Sequence, residues 1–157
     1  MAKRMRITLA ADHAGFGLKE EVREYLARKG YEVEDYGPHS TEFVDYPDFA
    51  EKVARRVAAK GAEFGVLVCG TGIGMAMTAN KVPGIRAANC NDTLSARLAR
   101  EHNDANVLTL GGRLIDGATA QKVLATWLST PFAGGRHARR IEKIAALEAK
   151  PSPEHNS

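Results

Sequence analysis

Cysteine and long apolar runs are scarce in this sequence. Its 157 residues contain two cysteines, Cys69 and Cys90, which are too few for the disulfide framework of a small secreted domain. No apolar stretch approaches the roughly 20 residues of a membrane-spanning helix. The opening MAKRMRITLA is not followed by the apolar segment and small-residue cleavage site of a secretory signal. We therefore expect a soluble, cytoplasmic protein with reduced thiols and no membrane partner.

A dominant charge is also lacking. Twenty-two Lys and Arg residues against nineteen Asp and Glu residues leave a net charge of +3, which is spread along the chain rather than gathered in one block. Aromatic residues make up only 6% of the chain, and they are not interleaved with the basic residues as single-stranded nucleic-acid binding requires. We therefore expect no nucleic-acid partner.

The rest of the composition is that of one globular domain, with 44% hydrophobic and 26% charged residues. A chain of this length buries roughly 68–70% of the surface that it exposes when unfolded, so its core needs neither a disulfide nor a metal. We predict a single domain over residues 1–149, followed by a disordered polar tail over residues 150–157.

Strand-length apolar runs alternate with segments of helical period, which is typical of βαβ units that build a parallel sheet. Strands are predicted over residues 6–11, 31–36, 64–69, 85–90 and 106–110. Helices are predicted over residues 17–29, 47–61, 74–80, 92–102, 117–130 and 136–149. The fold class is therefore α/β, a three-layer, doubly wound (Rossmann-like or flavodoxin-like) five-stranded parallel sheet with flanking helices.

The unusual residues follow two of these strands. Ligands of doubly wound folds bind beyond the carboxyl ends of the strands where the strand order reverses, which in the flavodoxin-like order lies between the first and third strands. The first strand ends in Asp12-His13-Ala14-Gly15, and the third in Cys69-Gly70-Thr71-Gly72-Ile73-Gly74. We expect both loops to face one crevice.

The glycine-rich loop over residues 70–74 precedes a helix, so its backbone N–H groups can bind an anion. It is not a P-loop, because no Gly-Lys-Ser/Thr follows. Nor is it the dinucleotide fingerprint, because Met77 stands where a motif starting at Gly72 needs its last glycine. A tight strand-to-helix turn without a ligand is the alternative.

Cys69 lies at the mouth of this loop, where a helix N-terminus favours the thiolate and hence a base or a nucleophile. A buried structural cysteine is the alternative, and chain position alone does not decide between them. Cys90 ends the neighbouring predicted strand without a glycine loop, so there we favour a structural role. A disulfide between the two is conceivable in space but is not expected in a reducing compartment.

The other candidates are polar and basic residues near the ends of strands and helices: His13, His102, Asn103, Arg113, Arg136 and Arg140. Arg136 and Arg140 are four residues apart on the last predicted helix, so they share a face. Paired guanidinium groups suit a phosphate because they are forked and always charged. A solvated basic helix face is the alternative.

Several segments occur in a fixed order between about Ile7 and Leu147. They are AADHAGFGLK, DYPDFA, CGTGIGM, NKVPGIRA, EHNDANVLTLGGR and GGRHARRI. As a set they resemble the type B ribose-5-phosphate isomerases, the group that also includes galactose-6-phosphate isomerase subunits. The set is far more specific than any of its members.

The resemblance implies an aldose–ketose isomerase that interconverts ribose 5-phosphate and ribulose 5-phosphate without a metal or other cofactor. It implies that Cys69 is the base that moves a proton between C1 and C2, that His102 opens the furanose ring, and that Thr71 and the N–H groups of residues 70–74 hold the enediolate oxygens. Contacts with the sugar phosphate are implied for Asp12, His13, Tyr46, Gly70, Gly72, Ile73, Gly74, Asn103, Arg113, Arg136 and Arg140. One branch of the family carries a carboxylate after the glycine loop instead of the cysteine. That position is Met75 here, so the chain resembles the cysteine branch.

The implied reaction makes physical sense for these residues. Aldose–ketose isomerisation removes a weakly acidic proton beside a carbonyl group, which needs a base that works near neutral pH and donors directed at the oxygen that gains charge. Cys69 and the glycine-rich loop can supply both. No Cys/His cluster has the spacing of metal ligands.

Chain geometry predicts the assembly. The fourth helix starts at the carboxyl edge of the sheet near Asp92 and has travelled roughly 15 Å toward the opposite edge by His102. His102 is then remote from Cys69 of its own chain, so a site that uses both residues requires a second subunit. We predict a homodimer with shared active sites, leaving a dimer of dimers open. Arg136 and Arg140 follow a helix that also ends at the far edge, so crossing over is one arrangement for them. The alternative is a last helix that climbs back beside its own sheet, so the sequence does not assign the subunit that supplies Arg113, Arg136 and Arg140.

Other functions stay open from the sequence alone. The substrate could be a hexose 6-phosphate such as allose or galactose phosphate. A nucleotide-binding module is the second alternative, in which Asp92 would meet a ribose. A nucleic-acid or interaction protein is the third, using Arg136, Arg139, Arg140 and Lys143.

Overall fold

The computed structural model describes residues 4–149, which form five strands and six helices. In chain order these are β1 (Arg6–Ala11), α1 (Phe16–Arg28), β2 (Glu32–Asp35), α2 (Tyr46–Ala58), β3 (Phe64–Cys69), α3 (Ile73–Ala79), β4 (Ala87–Asn89), α4 (Thr93–Glu101), β5 (Val107–Gly111), α5 (Gly117–Ser129) and α6 (Arg136–Ala149). The predicted α/β class is confirmed. The predicted tail over residues 150–157 lies outside the described residues.

All five strands pair in parallel, in the order β2-β1-β3-β5-β4. The strand order reverses between β1 and β3, as predicted. The last two strands are exchanged relative to the flavodoxin-like order 2-1-3-4-5, because β5 pairs with β3 and leaves β4 at the edge. Cys90 follows β4, so the expectation that it ends a neighbour of the third strand is wrong.

The helices cover the sheet in two layers, and the strands alternate their side chains between them. Helices α1, α4 and α5 pack on one face, where Leu26, Ala99 and Trp127 are buried. Helices α2 and α3 pack on the other face through residues that include Val53 and Met75. Alternation along β3 sends Val68 to the first face and Cys69 to the second. Helix α6 lies apart from both layers, with His137 as its one buried residue among those described.

The predicted element bounds agree with the structure to within one to three residues. The largest difference is β4, which has three residues instead of six. Near the predicted start of this strand, backbone N–H groups bond to side chains. Arg86 N–H donates to Asn106 Oδ1 at 2.8 Å, and Ala87 N–H donates to Asn80 Oδ1 at 2.8 Å. Asp92 caps α4 as predicted, because its Oδ1 accepts from Ser95 N–H at 2.7 Å.

None of the helices within residues 4–149 has both the length and the hydrophobicity that crossing a membrane requires.

Candidate functional site

The two loops predicted to face one crevice do so. They enclose a cavity of about 420 Å³ at the carboxyl edge of the sheet, between β1 and β3. The cavity is lined by Asp12, His13, Ala14, Tyr46, Cys69, Gly70, Thr71, Ile73, Gly74, Met77 and Arg113. A crevice at the reversal point is the expected place for a ligand in this fold.

Cys69 lines this crevice although the residue is only 5% exposed. Gly72 N–H donates to Cys69 Sγ at 3.1 Å, and Ile73 N–H donates to Thr71 Oγ1 at 3.1 Å. The N–H groups of Gly70, Thr71 and Gly74 donate to no atom of the described residues. Two of the five amides are therefore used to shape the loop, while three are left for a ligand.

Two of the glycines are needed for the shape of this loop. Gly72 has a φ of +85°, a conformation that side chains rarely adopt. At Gly74 a Cβ atom would lie 2.7 Å from the Tyr46 ring. The missing side chain thus lets the Tyr46 ring rest directly on the start of α3.

The carboxylate of Asp12 is buried at the end of β1, where its Oδ1 accepts from Gly15 N–H at 2.9 Å. This bond turns the chain into α1. Gly15 is required there, because a Cβ atom would overlap the carbonyl group of Val68 on β3. The close approach of these two segments forms the floor of the crevice.

The ring of His13 is oriented by a segment that the sequence analysis did not identify. Val44 N–H donates to His13 Nδ1 at 3.2 Å, and the Phe43 ring meets the His13 ring edge-on at a centroid distance of 4.5 Å. Since Nδ1 accepts a hydrogen bond, the neutral ring carries its proton on Nε2. His13 is thereby prepared to donate from Nε2.

Lys19 holds the segment that reaches His13. Its side chain is fully buried, and its Nζ donates to both oxygens of Asp35 at 2.9 to 3.0 Å and to Pro38 O at 2.8 Å. Gly37 N–H donates to the same Asp35 carboxylate at 2.8 Å. The segment after β2 is therefore anchored before it extends to Val44. Nothing in the helical pattern of α1 marks this lysine as buried.

Asn91 is a second residue that the sequence analysis missed. Its Oδ1 accepts from Gly111 N–H at 2.8 Å, and its Nδ2 donates to Thr71 O at 3.4 Å. It thus ties the glycine-rich loop to the end of β5. A polar residue directly after an edge strand, on the ligand-binding side of the sheet, was the available signal.

The remaining crevice residues bring charge and an aromatic wall. Arg113 follows β5, and its guanidinium packs against Gly70, where an added Cβ atom would lie 3.3 Å from Nη1. Tyr46 is 40% exposed and covers the opposite end of the loop. A positive group beside three amide donors that lack protein acceptors suits a phosphorylated or enediolate ligand.

Gly72, a predicted contact, does not itself line the crevice, although its loop neighbours do. Four other predicted site residues are absent from the crevice: His102, Asn103, Arg136 and Arg140. His102 ends α4 just before β5 begins, so it lies at the amino edge of the parallel sheet. Ala133 N–H donates to Glu101 O at 3.0 Å, which brings the start of α6 to the same place. Asn103 lines a different cavity, of about 500 Å³, with α6 residues such as Ile144. The structure thus places these four residues as chain geometry predicts, away from Cys69 of the same chain.

Cys90 has a structural setting. It is 2% exposed within the α1, α4 and α5 layer, on the opposite face of the sheet from Cys69. Burial, together with the nearby Asp92 carboxylate, raises the pKa of the Cys90 thiol to about 11, against a smaller lowering by the Ser95 side chain. Both cysteines are free thiols, and their location on opposite faces argues against the disulfide that the sequence left conceivable.

No group of three or more His, Cys, Asp or Glu side chains within residues 4–149 is arranged to hold a metal ion.

Comparison with known proteins assigns the chain to one family. A model of the family described as Ribose/Galactose Isomerase matches residues 7–144. The chain is 43% identical to the protein named ribose-5-phosphate isomerase B of Escherichia coli (strain K12) over 145 residues, which cover 92% of this chain and 97% of that protein. It is also 43% identical to a protein of Pectobacterium atrosepticum named D-erythrulose-4-phosphate isomerase, with coverage of 92% and 95%.

A solved structure shows the same similarity in three dimensions. The crystal structure of a ribose 5-phosphate isomerase from Thermotoga maritima superimposes with a TM-score of 0.90 at 54% sequence identity, covering 92% of this chain and 99% of that one.

Proposed function

Because the chain belongs to the Ribose/Galactose Isomerase family and is an aldose–ketose isomerase, we propose that it interconverts ribose 5-phosphate and ribulose 5-phosphate through an enediolate. The observation that carries the proposal is the Cys69 sulfur in a crevice with three amide donors that have no acceptor among the described residues. Both cysteines are reduced, which fits a cytoplasmic enzyme.

In this mechanism Cys69 is the base. As a thiolate it takes the proton from C2 of the open-chain aldose, and the carbonyl oxygen at C1 gains negative charge. A proton then passes from the C2 hydroxyl to the oxygen at C1, and Cys69 returns its proton to C1 as the carbonyl group forms at C2. The N–H groups of Gly70, Thr71 and Gly74 are placed to receive that charge, since an oxyanion needs donors that are already oriented. A single such donor lowers the barrier by about 2.7–4 kcal/mol.

The substrate is held by the groups around the loop. Arg113 lies beside Gly70 and supplies a permanent positive charge. Asp12 keeps one carboxylate oxygen without a donor among the described residues, and that oxygen can accept from a sugar hydroxyl. His13 donates from Nε2 because Val44 occupies its Nδ1. Tyr46, Gly72 and Ile73 complete the proposed contacts.

Ring opening requires a second titratable group, and we assign it to His102 of a partner subunit. A furanose opens when its anomeric hydroxyl loses a proton and its ring oxygen gains one, which a positioned imidazole accelerates about 10²–10⁴-fold. His102 lies at the amino edge of its own sheet. His102 is therefore far from Cys69 of its own chain. In a homodimer with a two-fold axis, each subunit can supply residues to the Cys69 crevice of the other, namely His102, Asn103, Arg136 and Arg140.

Mixing two inactive variants tests the function and the shared site together. Cys69→Ala and His102→Asn homodimers are each expected to lose ribose 5-phosphate turnover. After unfolding and refolding as a mixture, half of the dimers combine both chains, and each of these has one intact site. We expect about a quarter of the wild-type activity to return. If each site lay within one chain, mixing would restore nothing.

A four-carbon or six-carbon sugar phosphate is the second candidate substrate. The Pectobacterium atrosepticum relative is named for a four-carbon substrate, and the crevice of about 420 Å³ has room for more than a pentose. Turnover measured with erythrose, ribose, allose and galactose phosphates decides between them. A kcat/KM at least about tenfold higher for ribose 5-phosphate is the expected result.

A further inference from the structure

His137 has no role in the mechanism above, yet its ring stacks on the ring of His102. The two imidazoles are stacked, with centroids 4.3 Å apart and planes inclined by only 13°. His137 is 9% exposed, whereas the side chain of His102 is 38% exposed. One face of the His102 ring is therefore covered, and its edge stays open.

Three features of the backbone build this stack. Ala133 N–H donates to Glu101 O at 3.0 Å and fixes the start of α6 against the end of α4. Gly134 and Gly135 have φ values of +67° and +57°, conformations that allow the chain to turn sharply into α6. His137 N–H then donates to Gly134 O at 3.1 Å. The position of the His137 ring is thus fixed by an ordered backbone turn.

The environment keeps His137 neutral. Burial lowers the pKa of His137, and the neighbouring His102, Arg136 and Arg140 lower it further, although Glu101 acts in the opposite direction. A neutral ring can stack on His102 whether or not His102 carries a proton. Glu101 Oε1 lies 3.7 Å from His102 Nε2 on the same helix and is the nearest carboxylate partner of that ring.

We propose that His137 is a positioning residue for His102, whose ring it holds in the plane that furanose opening requires. This inference rests on the proposed function. A catalytic imidazole on a helix end would otherwise rotate freely about two side-chain bonds, and misplacement by about 1 Å can lower a rate 10²-fold. A flat neighbour prevents this rotation without taking part in proton transfer.

Two variants separate stacking from simple packing. His137→Phe keeps a flat ring without titratable nitrogens, and His137→Leu keeps an apolar side chain without the flat surface. With ribose 5-phosphate, we expect His137→Leu to lower kcat about tenfold or more, and His137→Phe to retain at least roughly a third of it. Equal impairment of both variants, or full activity of His137→Leu, would overturn the proposal.

Binding of an acyclic ligand separates positioning from damage to the site. 4-Phosphoerythronate cannot form a ring, because its 4-hydroxyl carries the phosphate, so its affinity does not depend on ring opening. Calorimetry should give a Kd for His137→Leu within about twofold of the wild-type value. A loss of affinity as large as the loss of kcat would assign His137 a structural role and reject positioning.

A His102→Asn variant measured in parallel distinguishes failure of this inference from failure of the proposed function. If His102→Asn loses turnover of ribose 5-phosphate while His137→Leu keeps it, only the positioning role is wrong. If His102→Asn retains full turnover, His102 does not open the ring, and both proposals are rejected.

Discussion

The backbone N–H of Gly72 donates to the Sγ atom of Cys69 at 3.1 Å, within a loop whose residues Gly70, Thr71, Ile73 and Gly74 line the crevice. A donor directed at sulfur is the partner that a thiolate requires. Only a glycine adopts this loop conformation readily, since φ at residue 72 is +85°. One short turn therefore positions both the proposed base and the amides that would hold the enediolate.

Replacing Cys69 should remove catalysis without unfolding the protein. Because a positioned base accelerates proton transfer about 10²–10⁴-fold, we expect Cys69→Ala to lower kcat for ribose 5-phosphate by that factor. Cys90→Ala is the matched control, since it removes the other buried thiol from the opposite face of the sheet. Retention of most activity by Cys69→Ala, measured by ketose formation, would reject the thiolate mechanism.

The pKa of Cys90 predicts a loss of stability in alkali. Burial raises this pKa from 9.0 to about 11, so the folded chain keeps a proton that the unfolded chain releases. The stabilisation is fully present below the lower value and is lost as the pH rises toward the higher one, at about 1.4 kcal/mol per pH unit.

Urea unfolding at pH 8 and pH 10 measures this effect. The difference in unfolding free energy between the wild type and Cys90→Ala should shrink by about 1 kcal/mol at the higher pH, because the variant lacks the titrating thiol. A difference that stays constant between the two pH values would contradict the assignment.

Replacement by alanine should change the stability in opposite directions at Gly15 and at Gly17. At Gly15 a Cβ atom would overlap the Val68 carbonyl, so Gly15→Ala should cost about 1–3 kcal/mol of stability through overpacking. Gly17 has nothing within 4 Å of its Cβ position and lies in α1. Gly17→Ala should therefore stabilise the fold by about 0.5–1 kcal/mol. Denaturant unfolding of both variants checks the contrast, and a shift in the same direction would refute it.

Removing the charge of Lys19 should destabilise the protein and disturb the crevice. Lys19→Met leaves the Asp35 carboxylate without its buried partner, an imbalance that typically costs about 3–5 kcal/mol. The segment that orients His13 is also freed, so KM for the sugar phosphate should rise.

Lys29→Met is the control for this prediction, because Lys29 is an exposed lysine at the C-terminal end of the same helix. Its effect should stay within about 0.5 kcal/mol. The unfolding free energy and the KM are measured for both variants. If the two variants do not differ in these values, the Lys19 network does not support the site.

Much of the fold could be predicted because periodicity and turn residues are local signals. The apolar run of β3 and the apolar face of α1, with Val22 and Leu26, follow directly from the order and spacing of the residues. The order of β4 and β5 could not be predicted in this way. Strand order depends on how helices α3 and α4 cross the sheet, which is a packing decision between distant segments.

The residues of the candidate site also differ in whether a local signal in the sequence identifies them. Cys69, Gly72 and Asp12 were identifiable because each lies at the end of a predicted strand or in the loop after it, in a fold whose ligands bind at strand ends. Asn91, Val44 and Lys19 were not, since they contribute through hydrogen bonds to residues 16 to 31 positions away.

By itself the sequence determined the βαβ alternation, the glycine-rich turn beside a thiol, and the distance along α4 that separates His102 from Cys69. These properties depend on neighbouring residues and on the fixed rise of a helix. Only the tertiary structure decided which amides are free, which tautomer His13 adopts and which ring covers His102. Each of these depends on contacts between segments far apart in the chain, which form only when the whole core packs.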